Sequence, residues 1–135
     1  MRIRSTWIAV AVAAAFIASG CGSIVDPANN QTQTFTGTIT TGSNSVNAFN
    51  VSKSGEYSVT FISLSPPAQA IAFFTIFLGQ NSAQGCAPVQ QNNLSKPGQT
   101  VLNSSIVPGS YCVGIADPNL AIATSAIYTL QVQHP

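Results

Sequence analysis

The chain has 135 residues, enough for one domain once any targeting segment is set apart and too few for two ordinary ones. Only 5% of the residues are charged while 45% are apolar, which excludes a disordered chain, a coiled coil and a basic nucleic-acid binder.

Arg2 and Arg4 precede an unbroken apolar run over residues 7–18, and the small residues Ser19 and Gly20 follow. Charge, short apolar run and small-residue exit are the three parts of a secretory signal. As a helix the run reaches about 18 Å, well short of a hydrocarbon core of about 30 Å, and it has no polar face that would suit a buried amphipathic helix. Residues 1–20 are therefore expected to be a signal peptide. The stretch Ala18-Ser19-Gly20-Cys21 resembles the lipobox of bacterial lipoproteins, with Ala18 where Leu is usual. That resemblance implies cleavage before Cys21 and attachment of a diacylglyceryl group to its sulfur, often with a further acyl chain such as palmitate on the new amino group. Two or more chains hold a protein to a bilayer where one does not. Gly22, in the place where Asp favours inner-membrane retention in diderm bacteria, implies the outer membrane or cell surface. The alternative is a plain secreted protein cut nearby.

Residues 21–135 then carry Lys53 and Lys96 against Asp26, Glu56 and Asp117, a net charge of −1. With no basic stripe, nucleic acid is set aside as a partner. Ser, Thr, Asn and Gln number 45 of these 115 residues, so uncharged polar side chains must solvate the surface. Residues 21–32 lack periodicity, hold Gly, Pro, Asn and Ser, and read as a lipidated N-terminus with a flexible tether.

From residue 33 onward the signal is alternation at period two. Phe35, Gly37 and Ile39 oppose a row of threonines; Tyr57, Val59 and Phe61 oppose Glu56, Ser58 and Thr60; Tyr128, Leu130 and Val132 oppose Thr129, Gln131 and Gln133. Turn residues punctuate these segments, and none shows a helical period. Strands are expected near 34–40, 46–51, 56–64, 70–78, 86–90, 99–106, 110–116 and 126–133. The expected fold of 33–135 is all-β, a two-sheet antiparallel sandwich of Greek-key or jelly-roll type with about eight strands. Residues 70–78 (AIAFFTIFL) are apolar on both faces. Either they form a central strand covered on both sides or they expose a patch for binding.

Cys86 and Cys112 are the pair left once Cys21 is assigned, without CxxC spacing or a histidine cluster. In an exported chain a structural disulfide is the leading reading and two reduced buried thiols the alternative.

The succession TFTGTITTGSNSVNAFNV, SGEYSVTFISL, AFFTIFLG, VPGSYCVGIAD and YTLQV resembles the bacterial pre-peptidase C-terminal domains, small secreted sandwiches. The resemblance covers roughly residues 33–133. It implies a β-sandwich without catalysis of its own, usually an appendage of a secreted enzyme.

Chemistry-bearing side chains are few. His134, a serine and Asp117 make a triad only on paper, with no GxSxG elbow, and His134 is expected in a frayed C-terminus. Asp26, Glu56 and Asp117 fall in a tether, at a strand start and in a turn, so no facing carboxyl pair for glycosidase chemistry is expected. Asp117 and Asn119 offer oxygens suited to calcium, but a tight site wants more carboxylates, so the pair reads first as a turn. Tyr57, Tyr111 and Tyr128 lie in the strand alternation and read as core residues with a hydroxyl at the rim; no ligand-binding residues are named. The expectation is a lipid-anchored, exported, non-enzymatic module of the bacterial cell envelope. It touches the membrane through its anchor, binds an unidentified protein or glycan, and needs no cofactor. A surface-displayed carbohydrate-binding module is the competing reading, and an accessory domain of a secreted hydrolase system the third.

Overall fold

A computed structural model of the chain describes residues 27–68 and 71–135. The expected signal peptide, Cys21 and the first half of the expected tether lie outside the described residues. A single 3-10 turn (Pro27–Asn29) leads into eight strands: β1 (Gln31–Thr40), β2 (Asn44–Val51), β3 (Gly55–Ser65), β4 (Phe74–Ser82), β5 (Gly85–Ser95), β6 (Gln99–Ile106), β7 (Gly109–Ala116) and β8 (Ser125–His134).

The strands form two antiparallel four-stranded sheets, ordered β1-β8-β3-β6 and β2-β7-β4-β5. Pairing β1 with β8, β2 with β7, β3 with β6 and β4 with β5 is one long hairpin folded over itself, which makes the sandwich a jelly roll. Alternation decides which face goes in. On β1 the threonines at 32, 34, 36, 38 and 40 are exposed, while Ile39 is buried. Val59 and Phe61, Leu130 and Val132, Val113 and Ile115, and Phe74, Ile76 and Leu78 meet in one core. Phe61 and Phe74 cross it edge-to-face with centroids 5.8 Å apart, one from each sheet.

All eight expected strands are present, three of them with a bound shifted by three or more residues. β1 begins at Gln31 because Gln31 to Thr40 pair with β8 without a break. β4 occupies 74–82 rather than 70–78: its hairpin with β5 closes at Gly85, whose φ of 109° suits glycine, and this draws Gly79 to Ser82 into the ladder. Residues 71–73 consequently run outside the sheets. β5 extends to Ser95 because its Gln and Asn residues pair along the whole of β4.

As expected for a strand apolar on both sides, β4 lies inside its sheet, between β7 and β5. Its outward Phe77 lies flat over Gly114 of β7, where a Cβ would collide with the ring. The expectation of a frayed C-terminus fails: His134 pairs with Gln31 and is 1% exposed, its ring 5.2 Å from that of Phe49.

The strand directions sort the connections. The chain enters at one end, together with the 52–54, 83–84 and 107–108 turns and Pro135. The 41–43, 96–98 and 117–124 connections gather at the other, with residues 66–68 and 71–73 beside them.

Candidate functional site

Two concave surfaces lie at the end where those last connections gather. One groove of about 430 Å³ is lined by Ile71, Ala72, Phe73, Asn119, Leu120 and Ala121. A second, of about 440 Å³, runs from Ile62 and Leu64 past Pro67 and Ala72 to Lys96 and Pro97. Ala72 belongs to both, so the loop after β3 is the ridge between them.

This end exposes several aliphatic side chains. Ile71 is 78% and Leu120 68% exposed, and Ile62 adds a third aliphatic side chain. Lys96 sits with its ammonium 4.5 Å from the centroid of the Phe73 ring, a cation–π contact that fixes the rim of both grooves.

Asp117 builds the wall. Its side chain is fully buried, and its carboxylate accepts the N–H of Ala121 at 2.8 Å, of Ile122 at 3.1 Å and of Gly42 at 3.3 Å. Its own N–H donates to the Ser43 carbonyl at 3.0 Å. One carboxylate thus clamps the loop before β8 to the turn after β1. Inside the clamped loop Leu120 has φ 55°, a left-handed conformation that a branched side chain rarely takes. The strained residue is also one of the two most exposed aliphatics of the opening.

The two residues considered for calcium are committed to other partners. The Asp117 oxygens take three N–H groups, and Asn119 Nδ2 donates to the Phe73 carbonyl at 3.2 Å. Among the described residues no group of three or more His, Cys, Asp or Glu side chains is placed to hold a metal. His134 and Asp117 lie at opposite ends of the sandwich, and Glu56 is exposed at the chain-entry end on β3. Among the described residues the arrangement brings no nucleophile, base and acid together.

The tyrosines are core residues whose hydroxyls find partners. Tyr57 donates to Gln90 Oε1, and burial pushes its hydroxyl above the ordinary tyrosine range. Tyr111 donates to the Val107 carbonyl at 2.9 Å, folding its ring over Gly109, a corner of the kind that braces sandwich turns. Tyr128 crosses to β2, where its hydroxyl meets Ser45 Oγ and Asn47 Nδ2, each at 2.8 Å.

Cys86 and Cys112 form a disulfide with Cα atoms 5.8 Å apart. Cys112 faces outward from β7, opposite to Tyr111, and the bond passes to β5 over Gly79 of β4. A Cβ at Gly79 would sit 2.9 Å from Cys86 Sγ and closer still to the Ala87 carbonyl. Only glycine fits beneath this crossing.

Sequence reasoning placed Ile71 in a segment that either fills a central strand or exposes a patch, and it missed Lys96, Leu120 and the clamp of Asp117. The DPN turn was visible, but no residue type announces that a leucine will occupy the left-handed position after it.

No protein-family model matches the chain, and no curated protein matches it. Among solved structures it is similar to the Yersinia pseudotuberculosis-derived mitogen (YPM), with a TM-score of 0.51 at 17% sequence identity. The match covers 78% of this chain and 87% of that one, and it is a likeness of fold.

Proposed function

We propose that the protein is a lipid-anchored module of the bacterial cell envelope, held through Cys21 in the outer membrane or at the cell surface. It acts without catalysis by presenting its apolar loop end to a protein partner. The observation that carries this reading is the polarity of the sandwich. The chain enters at one end, and the exposed aliphatic side chains Ile71 and Leu120 stand at the other. A strand of ten residues spans roughly 33 Å. The stretch from Cys21 to Pro27 adds at most about 20 Å. An anchor at Cys21 therefore leaves the grooves facing away from the bilayer.

A likeness to pre-peptidase C-terminal domains supports the same non-catalytic role, as does the scarcity of titratable side chains. The competing reading, sugar recognition, has the hydroxyl- and amide-rich face of the β1-β8-β3-β6 sheet in its favour. On that face Thr36 and Thr129 lie 3.3 Å apart and Thr60 and Thr100 3.1 Å apart.

A photoactivatable side chain at Leu120 or Ile71 is expected to capture a protein from intact envelopes, and the same group at Lys53, at the chain-entry end, is not. Retention on insoluble cell-wall polysaccharide without any captured protein would favour sugar recognition instead. Mass spectrometry is expected to find an acylated Cys21 as the first mature residue. Recovery of the native protein wholly in the aqueous phase of a detergent cloud-point separation would remove the anchor.

A further inference from the structure

Sheet edges expose unpaired backbone groups, and proteins protect them with proline, charge or bulges. The edges on one side of this sandwich are protected in that way. β5 contains Pro88 and two register shifts against β4, and the pairing of β6 with β3 shifts at Val59. β1 has none of these devices. Its ten residues, QTQTFTGTIT, carry no charge and no proline, and their pairing with β8 is unbroken. β2, on the same flank, is uncharged and unbroken as well.

The phase of the β1 ladder fixes what its open side presents. The Thr41 N–H donates to the Thr124 carbonyl, which continues the β1–β8 register by one residue and marks the odd positions as those bonded to β8. The even positions therefore aim their N–H and C=O at the open side. Thr40 is already used: its N–H donates to Ser43 Oγ at 3.0 Å and its carbonyl accepts the Ser43 N–H at 3.1 Å. Thr32, Thr34, Thr36 and Thr38 are left facing outward, and all four are exposed.

We propose that this edge binds a second copy of the chain, β1 against β1 in antiparallel fashion, with Phe35 opposite Phe35 on the two-fold axis. In that register Thr32 faces Thr38 and Thr34 faces Thr36. The four available residues of each copy are all consumed, giving about eight main-chain hydrogen bonds. A shift of one residue along each strand would call on Thr40 or leave a threonine unpaired. Side chains agree with the backbone. Thr–Thr neighbours repeat the contacts seen on this face within one copy. Phe35, half-buried and 6.1 Å from Phe49, gains an aromatic partner across the axis. A two-fold axis sets any charge close to it near its own image, so a flank without charge suits an identical partner. The result is a continuous eight-stranded sheet whose two chain-entry ends point in opposite directions, so two anchored copies keep their grooves away from their own bilayers only when those bilayers face each other.

The test is cysteine cross-linking with sedimentation velocity on the full exported protein. Phe35→Cys is expected to form a covalent dimer on mild oxidation, while Thr38→Cys, which faces Thr32 and lies far from its own copy, is not. The unmodified protein is expected to sediment as a concentration-dependent dimer. Thr34→Pro removes an N–H that β8 does not use, and it should lower dimer affinity by about tenfold or more with little change in melting temperature. If that variant fails to fold, Thr34→Lys, on the exposed face, serves in its place. A monomer at every concentration overturns the proposal. So does a dimer that survives both Thr34 substitutions, or one that Phe35→Cys does not trap.

Discussion

Asn47 of β2 donates from Nδ2 to the hydroxyl of Tyr128 on β8 at 2.8 Å, so a polar contact joins the two sheets. Room for it comes from Gly37, the β1 residue paired with Tyr128, since a Cβ there would lie 2.6 Å from the hydroxyl oxygen. Tyr128→Phe leaves the Asn47 amide and the Ser45 hydroxyl short of a partner and should cost about 1–3 kcal/mol in urea unfolding. Gly37→Ala pushes the ring off its partners and should cost at least as much. An unchanged urea midpoint in either variant would contradict this account of the core.

The disulfide and the glycine beneath it make separable predictions. Replacing Cys86 and Cys112 by Ser releases a 26-residue span and should lower stability by about 3–4 kcal/mol in chemical denaturation. Gly79→Ala should destabilise the protein in both the oxidised and the reduced state, because the obstacle is the Ala87 backbone as well as the sulfur. A Gly79→Ala defect that vanishes on reduction would place the whole obstacle at Cys86.

Stability should respond to base through Tyr57. Its hydroxyl titrates higher in the folded protein than in the unfolded chain because burial disfavours the phenolate. Below pH 10 both states hold the proton and nothing changes. Above it the unfolded chain loses its proton first, so stability falls as pH rises, by at most about 1.4 kcal/mol per unit from this group. Comparing urea midpoints of the parent and Tyr57→Phe from pH 8 to 11.5 should show the gap between them changing only above pH 10.

Leu120 should trade stability for binding. Leu120→Gly relieves a left-handed backbone and is expected to stabilise the fold by up to about 1 kcal/mol in thermal unfolding. The same change removes an exposed aliphatic side chain from the groove and should weaken partner capture. Loss of stability would mean that the packing of the leucine against Gly42 outweighs the strain.

How much of this was legible depends on the kind of signal. β1, β3 and β8 could be read because one face is wet and one dry, so Tyr57, Val59 and Phe61 declare their side of the sheet by spacing alone. The frame of β4 could not. In AIAFFTIFL every residue but Thr75 is apolar, so either face looks like the core, and the decision rests on hairpin closure at Gly85 far along the chain. β5 was underestimated for the opposite reason, since Gln91, Asn92 and Asn93 show no apolar rhythm although the ladder holds them. The loop end was least legible. Asp117 acts through N–H groups of residues 42, 121 and 122, and a meeting of backbone atoms leaves no trace in residue types.

The nearly charge-free exterior has an environmental consequence. Dissolved ions act on proteins mainly by shielding fixed charges, and here there is little to shield. Moving the folded module from dilute to briny surroundings, or from mildly acidic to mildly alkaline ones, should leave its shape and its contacts much as they were. Apolar and hydroxyl groups, rather than electrostatics, set the terms on which it meets its surroundings.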